Sequence, residues 1–148
     1  LESNSIKAED KKLYSDFIQN TDSVKLEAVT TNIRTRLGGA YRMRAQQVEK
    51  VKQYIGTQET VGTIICGDFN DTPISYAYQQ MKKGLKDAYV STAFGTGITY
   101  HEDLFLFRID YIMHSKSMKA FKTKVDKIKN SDHYPLRTSL LLDQAIIE

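Results

Sequence analysis

Gly62-Thr63-Ile64-Ile65-Cys66-Gly67-Asp68-Phe69-Asn70-Asp71-Thr72-Pro73 is the stretch on which the reading of this chain turns. Gly62 to Cys66 is a short continuous apolar run, the pattern of a strand covered on both faces. Asp68 and Asn70 follow at spacing i, i+2. An extended backbone puts both side chains on one side, at the C-terminal edge of the strand where sites in α/β proteins lie. Asp71-Thr72-Pro73 then opens a helix, with Thr72 as N-cap and Pro73 in the first turn. Ile74, Ala77, Tyr78, Met81 and Leu85 recur as its buried stripe, and Gly84 supplies the residue just past its end. Cys66, inside the apolar run, reads as a small buried hydrophobe.

Upstream, Tyr41, Ala45, Val48, Val51 and Ile55 repeat at helical spacing and predict a long amphipathic helix stopped by Gly56. Its other face carries Arg42, Arg44, Gln46, Glu49, Lys50 and Gln53, read as solvated. Residues 20–40, polar and broken by Gly38-Gly39, predict a loop. Before them, Asn4 or Ser5 caps a helix marked by Ile6, Leu13 and Phe17 and ending near Asn20.

Downstream, Ala88 to Tyr100 predicts a short strand and a mobile loop around Gly95 and Gly97. Arg108 to His114 reads as a central strand, with Ile109, Tyr111 and Met113 on one face and Asp110 and Ile112 on the other. Phe121 to Ile128 alternates with lysines as an edge strand does. Leu136 to Leu142 is a last strand with Leu136, Leu140 and Leu142 inward. The fold class is α/β of the α+β type, one mixed β-sheet with helices on one face. Such a sheet leaves an apolar face that needs a partner.

The chain has 148 residues, 41% hydrophobic and 26% charged, the balance of one globular domain. A net charge of +3 suits an anionic substrate without by itself arguing for nucleic acid. One cysteine excludes an internal disulfide. No apolar stretch is long enough to span a bilayer, and there is no signal-peptide pattern. The chain starts at Leu1 rather than Met, as a processed product or an excised piece does, so localisation is open.

Asp110 is a carboxylate in an otherwise apolar strand, and a buried charge needs a partner. His133, in Ser131-Asp132-His133-Tyr134-Pro135, is the candidate. A carboxylate on one ring nitrogen fixes the tautomer and aims the other nitrogen outward. The bland alternatives are a structural salt bridge for Asp110 and backbone-bonded turn residues for Asp68 and Asn70. His101-Glu102-Asp103 reads as a loop rather than a ligand set. The lysines at 116, 119, 122, 124, 127 and 129 read as edge-strand protection. Without tryptophan or a row of exposed aromatics there is little to stack bases.

Gly67-Asp68-Phe69-Asn70, Arg108-Ile109-Asp110-Tyr111 and Ser131-Asp132-His133-Tyr134-Pro135, in this order, resemble the C-terminal half of the endonuclease/exonuclease/phosphatase superfamily. The spacing supports it: 42 residues from Asp68 to Asp110 and 22 from Asp110 to Asp132. The resemblance covers about residue 44 to Leu142 and implies a magnesium-dependent phosphoesterase built as a four-layer αββα sandwich, of which residues 1–148 form the C-terminal half. It assigns Asp68 to the attacking water and, with Asp132, to a Mg²⁺ or Mn²⁺ ion. Asn70 stabilises the transition state, Asp110 orients His133, and His133 contacts the scissile phosphate. The family's upstream Asn-x-His-Leu segment is represented only by a tail-like Leu1-Glu2-Ser3, and its principal magnesium-binding Glu is absent.

The expectation is therefore a metal-dependent hydrolase of phosphodiesters or phosphomonoesters whose isolated chain is nearly inactive. Its partners would be a phosphate ester of unknown class, the missing N-terminal half, and a second copy through the exposed sheet face. Nucleic acid is possible but not favoured. The Phe94-Gly95-Thr96-Gly97-Ile98-Thr99-Tyr100 loop resembles versions in bacterial, exported or membrane-associated members more than in DNA-repair endonucleases. The alternative is a non-catalytic half-domain that serves as an interaction or dimerisation module.

Overall fold

The computed structural model describes residues 1, 23–58, 61–102 and 106–143, with backbone alone for 23–37. The expected helix near residues 4–20 lies outside them. Helix α1 (Ser23–Gly56) is 34 residues long. It runs straight through Gly38-Gly39, where the sequence predicted a loop. Glycine weakens a helix by about 1 kcal/mol per residue, a cost that tertiary packing can outweigh. That packing comes from the residues that follow: Ala40, Arg44 and Val48 are buried at i+4 spacing. The buried stripe is thus rotated from the expected one, and Tyr41 stands about half exposed at 47%. Gly56 ends the helix as expected.

Strand β1 (Ile64–Asp68) follows, then helix α2 (Tyr76–Lys82). The helix starts later than expected because Ser75, not Thr72, caps it, its Oγ accepting from the Tyr78 amide at 3.2 Å. Pro73 and the exposed Ile74 belong to the turn before the cap. Leu85 was expected on the helix stripe but begins strand β2 (Leu85–Asp87) after Gly84, whose φ of +86° only glycine takes easily. Helix α3 (Ala88–Thr92) then replaces the predicted strand. Asp87 caps it by accepting from the amides of Tyr89 and Val90 at 2.9 and 3.3 Å. Strands β3 (Asp110–Ser115), β4 (Met118–Val125) and β5 (Leu136–Leu142) complete the described chain.

The described strands form a three-stranded sheet in the order β1-β3-β2 and a two-stranded β4-β5 ribbon. All these pairings are antiparallel. The α+β class stands, but the described strands make two antiparallel units in place of the single mixed sheet expected, because short hairpin and loop connections favour antiparallel neighbours. Strand β3 is central as its two apolar faces suggested. β1 is less enclosed than expected. It is covered on one face only, and both Ile64 and Cys66 are exposed on the other. Cys66 is therefore not the buried hydrophobe that the apolar run implied.

The core lies on one side of the three-stranded sheet. Tyr111 and Met113 of β3 and Phe69 just after β1 pack against Val48 of α1 and Ala77, Tyr78 and Met81 of α2. The Tyr111 ring sits 4.9 Å from that of Phe69 and 4.8 Å from that of Tyr78, centre to centre. Each such buried side chain contributes about 1.5–3 kcal/mol through removal of apolar surface from water. Beside this cluster, Arg108 is buried with Asp87 at 2.7 Å, and Tyr78 donates to the same carboxylate oxygen at 2.8 Å. Burial, with the charge of Asp87, pushes the Tyr78 hydroxyl up to about 12. It stays a neutral donor.

Candidate functional site

Antiparallel pairing of β1 with β3 sets Ile64 opposite His114, Cys66 opposite Ile112 and Asp68 opposite Asp110. Directly opposed residues share a face. Asp68 and Asp110 therefore stand side by side on the face away from the core, at the end of the sheet where β1 finishes and β3 begins. Two of the three sequence blocks meet there because of this register alone.

The third block arrives through the loop before β3. The Thr99 carbonyl accepts from the Tyr134 amide at 2.7 Å, and the Asp132 carbonyl accepts from the His101 amide at 3.1 Å. Tyr100 bridges to His133 and contacts its ring edge-on at 5.2 Å. The outcome is a close pair: His133 Nδ1 lies 2.8 Å from Asp110 Oδ2, both side chains partly exposed. This is the partnership that the isolated carboxylate in an apolar strand called for. Nδ1–H donates to the carboxylate, which leaves Nε2 for a ligand or a water.

Asp68 accepts from the Asn70 amide through Oδ1 at 2.6 Å, so the two residues are joined by a tight turn. Asn70 has φ +51°, in the left-handed region that non-glycine residues avoid. Its side-chain amide donates to the Leu1 carbonyl at 3.2 Å, and the Leu1 nitrogen donates to the Asp68 carbonyl at 2.8 Å. Burial raises the Asp68 carboxyl above the ordinary carboxylate range. The Asn70 amide opposes that rise, the nearby Asp110 charge adds to it, and His133 counters it.

Asp68, Asn70, Asp110 and His133 are thus brought to one edge. Asp132 is not joined to them by a side-chain contact: its side chain is exposed, and its backbone serves the His101 turn. Among the described residues no three His, Cys, Asp or Glu side chains converge as a metal site. The residues present do not by themselves make a complete site for Mg²⁺ or Mn²⁺. His101 stacks on Tyr134 at 3.9 Å between ring centres, a packing role in keeping with its reading as a loop residue.

Four supporting residues escaped the sequence reading. Thr99 is fully buried, and its Oγ1 accepts from the amides of Ile109 and Asp110, each at 3.1 Å. Gly97, at φ +65°, leaves no room for a Cβ, which would lie 2.7 Å from both Arg108 Cδ and the Tyr89 ring. Arg44, expected on a solvated face, is wholly buried against Asp71, Nε to Oδ2 at 3.1 Å. The Tyr111 hydroxyl lies 2.8 Å from the Asp71 carbonyl and 2.7 Å from that of Arg108, linking the backbones of the first two blocks. Only the paired glycines of the 95–97 loop hinted at any of this.

Comparison with known proteins adds the remaining evidence. Residues 3–133 match the model of the "Endonuclease/Exonuclease/phosphatase family". A solved endonuclease/exonuclease/phosphatase from Bacteroides vulgatus superposes with TM-score 0.57 at 24% identity, over 70% of this chain and 45% of that one. A family protein from Bacteroides thetaiotaomicron gives 0.55 at 21%, over 70% and 46%. A mannosyl-6-phosphatase from B. thetaiotaomicron VPI-5482 gives 0.49 at 23%, over 66% and 44%, too loose an overlap to bear on substrate. The chain thus spans less than half the length of each of these solved proteins. No functionally curated protein matches it significantly. With three motif blocks meeting at one sheet edge, a fold shared with solved members and a family match over most of its length, this chain belongs to the endonuclease/exonuclease/phosphatase family.

Proposed function

We propose that the protein carrying this chain hydrolyses a phosphodiester or phosphomonoester with a water activated at Asp68. The observation that carries the proposal is the 2.8 Å His133–Asp110 pair beside Asp68, which stands opposite Asp110 in the β1–β3 register. A carboxylate whose proton affinity is raised by burial is a better base than an ordinary one. In the proposed step the water oxygen bonds to phosphorus, its proton passes to Asp68, and the ester P–O bond breaks with its electron pair on the leaving oxygen, which departs as an alkoxide and takes a proton from solvent water. The His133 ring, held through Nδ1 by Asp110, turns Nε2 to a phosphoryl oxygen. The Asn70 amide group donates to the same charged centre as negative charge builds.

The proposal includes a requirement for Mg²⁺ or Mn²⁺, with Asp68 and Asp132 among its oxygen ligands and the others outside the described residues. Oxygen ligands are what such hard cations take. It follows that the isolated chain should turn over poorly, the remainder of the site coming from the rest of the protein. Substrate class is left at phosphate esters, since loops rather than the scaffold select among them.

The test is hydrolysis of a chromogenic phosphodiester and monoester by the full-length protein, with Mg²⁺, with Mn²⁺ and with a chelator. Metal-dependent turnover that His133→Ala abolishes supports the proposal. Metal-independent turnover, or turnover indifferent to His133, contradicts it. A second reading has one observation in its favour: the exposed Ile64 and Cys66 form the kind of sheet face on which another polypeptide packs. On that reading the chain is an interaction module, and the full-length protein would form complexes without hydrolysing either ester.

A further inference from the structure

The buried ion pair between Arg44 and Asp71 joins residues 27 positions apart, one on α1 and one immediately after Asn70. Neither group reaches solvent to any extent: Arg44 is 0% exposed and Asp71 5%. A fully buried guanidinium on a surface helix is unusual, since isolated buried charges are costly and persist only when paired. Its aromatic neighbour is Tyr41, whose ring centre lies 4.7 Å from the guanidinium carbon. Arg44 faces the core side of the sheet and touches neither Asp110 nor His133 in any described contact. Its hold is on the turn.

That turn is over-determined. Asn70 sits at φ +51°, and such a conformation in a non-glycine residue persists only where its surroundings impose it. Several bonds do so here, these three among them. The Asp68 carboxylate takes the Asn70 amide at 2.6 Å, the Tyr111 hydroxyl lies 2.8 Å from the Asp71 carbonyl, and Arg44 holds the Asp71 carboxylate at 3.1 Å. The first bond lies within the site, and the second comes from β3. The third ties the turn to helix α1. Without it, the Asp71 carboxylate is left buried and unpaired, and its escape toward water would drag the adjoining Asn70 out of the left-handed turn.

We propose that Arg44 is a positioning residue: through its buried pair with Asp71 it fixes the Asp68–Asn70 turn in the geometry needed for hydrolysis. This rests on the hydrolytic reading above. Misplacing a reacting group by an ångström costs up to about a hundredfold in rate, so a positioning contact should show in kcat more than in KM.

The test uses the full-length protein and four variants, Arg44→Met, Arg44→Lys, Asp71→Ala and Asp71→Asn, assayed well below their melting temperatures. Each is also examined by the amide proton and nitrogen shifts of Asn70. Arg44→Met and Asp71→Ala are expected to lower kcat by about tenfold or more with KM changed far less, and to move the Asn70 amide signal. Asp71→Asn keeps an oxygen for the Arg44 N–H and is expected to recover most of both. Arg44→Lys is expected to fall between. Lower melting temperatures with unchanged kcat and an unchanged Asn70 signal would make the pair merely structural and overturn the proposal. If Arg44→Met does not fold, the contrast between Asp71→Ala and Asp71→Asn carries the same decision. A wild-type protein inactive on phosphate esters would sink the hydrolytic reading, while the Asn70 signal would still decide whether Arg44 sets the turn.

Discussion

The two faces of the β1–β3 pair are made from alternate residues of the same strands, yet they do opposite things. On one face Tyr111 and Met113 are almost wholly buried against α1 and α2. On the other, Ile64 and Cys66 are exposed, and Asp68, Asp110 and Ile112 are half-buried around a carboxylate–imidazole pair. The covered face carries the packed core; the open face carries the carboxylates and, at its far end opposite Ile64, the buried His114. The Tyr111 hydroxyl connects the two roles, since it reaches from the core to the carbonyls that precede and follow the open-face residues.

Variants on alternate residues should therefore separate. The largest effect on stability is expected from Tyr111→Ala, about 3–5 kcal/mol in denaturant melts, because a large buried ring leaves a cavity. Tyr111→Phe keeps the ring and removes the hydroxyl bridge. It should cost about 1–3 kcal/mol, the penalty of leaving buried carbonyls without their donor. Ile112→Ala, one residue away but on the open face, should cost under about 1 kcal/mol, as partly exposed positions do. A loss from Ile112→Ala as large as that from Tyr111→Ala would mean that the open face is covered in solution.

The smallest stability effect, and the one with a telling sign, is expected from Asp68→Asn. Burial raises the folded-state proton affinity of Asp68 above its unfolded value, and the Asp110 charge adds to this. The folded chain therefore binds the proton more tightly than the unfolded chain, and stability is lost as pH rises from the ordinary carboxylate value through the raised one. Asn carries no such charge. In metal-free buffer the variant should melt higher than the wild type at neutral pH. That advantage should vanish in acid, below the unfolded carboxylate value, where Asp68 is protonated in both states. A lower melting temperature at neutral pH would contradict the reading of Asp68 as a carboxylate whose burial favours its protonated form.

Thiol labelling sharpens the same comparison without a substitution. Cys66 is exposed on the open face of this chain and should react with a small thiol reagent under native conditions at a rate near that of the unfolded chain. Protection in the full-length protein would show that another segment or a second copy covers that face.

Much of this was legible in the sequence, for definite reasons. Asp110 stood out because a lone carboxylate in the apolar run around Tyr111 and Met113 demands a partner, and His133 is that partner. The limits of β5 and the central place of β3 followed from alternation and from apolar residues on both sides. Where the reading failed, tertiary packing had overridden local preference. Gly38-Gly39 sits in a helix because residues 40 to 48 anchor it, and the Ser75 cap displaced the equally plausible Thr72. Arg44 was misread because charge on an amphipathic helix normally faces water, and its partner Asp71 lies 27 residues away with no periodicity to link them. Thr99 and the Tyr111 hydroxyl act through backbone atoms, which leave no pattern in side-chain chemistry. The covered-strand pattern of residues 62–66 misled for another reason: an apolar run reports what a strand can bury, not which of its faces is buried in this chain.

The measurement that tests the account most directly is a double-mutant cycle on kcat for Asp110→Asn and His133→Ala in the full-length protein, using a chromogenic phosphate ester. If the 2.8 Å pair works as one unit, each single variant should lose roughly a hundredfold or more, and the double variant should lose no more than the worse single. Losses that simply multiply, or a His133→Ala protein that turns over like the wild type, would contradict the claim that the open face of this sheet carries the chemistry.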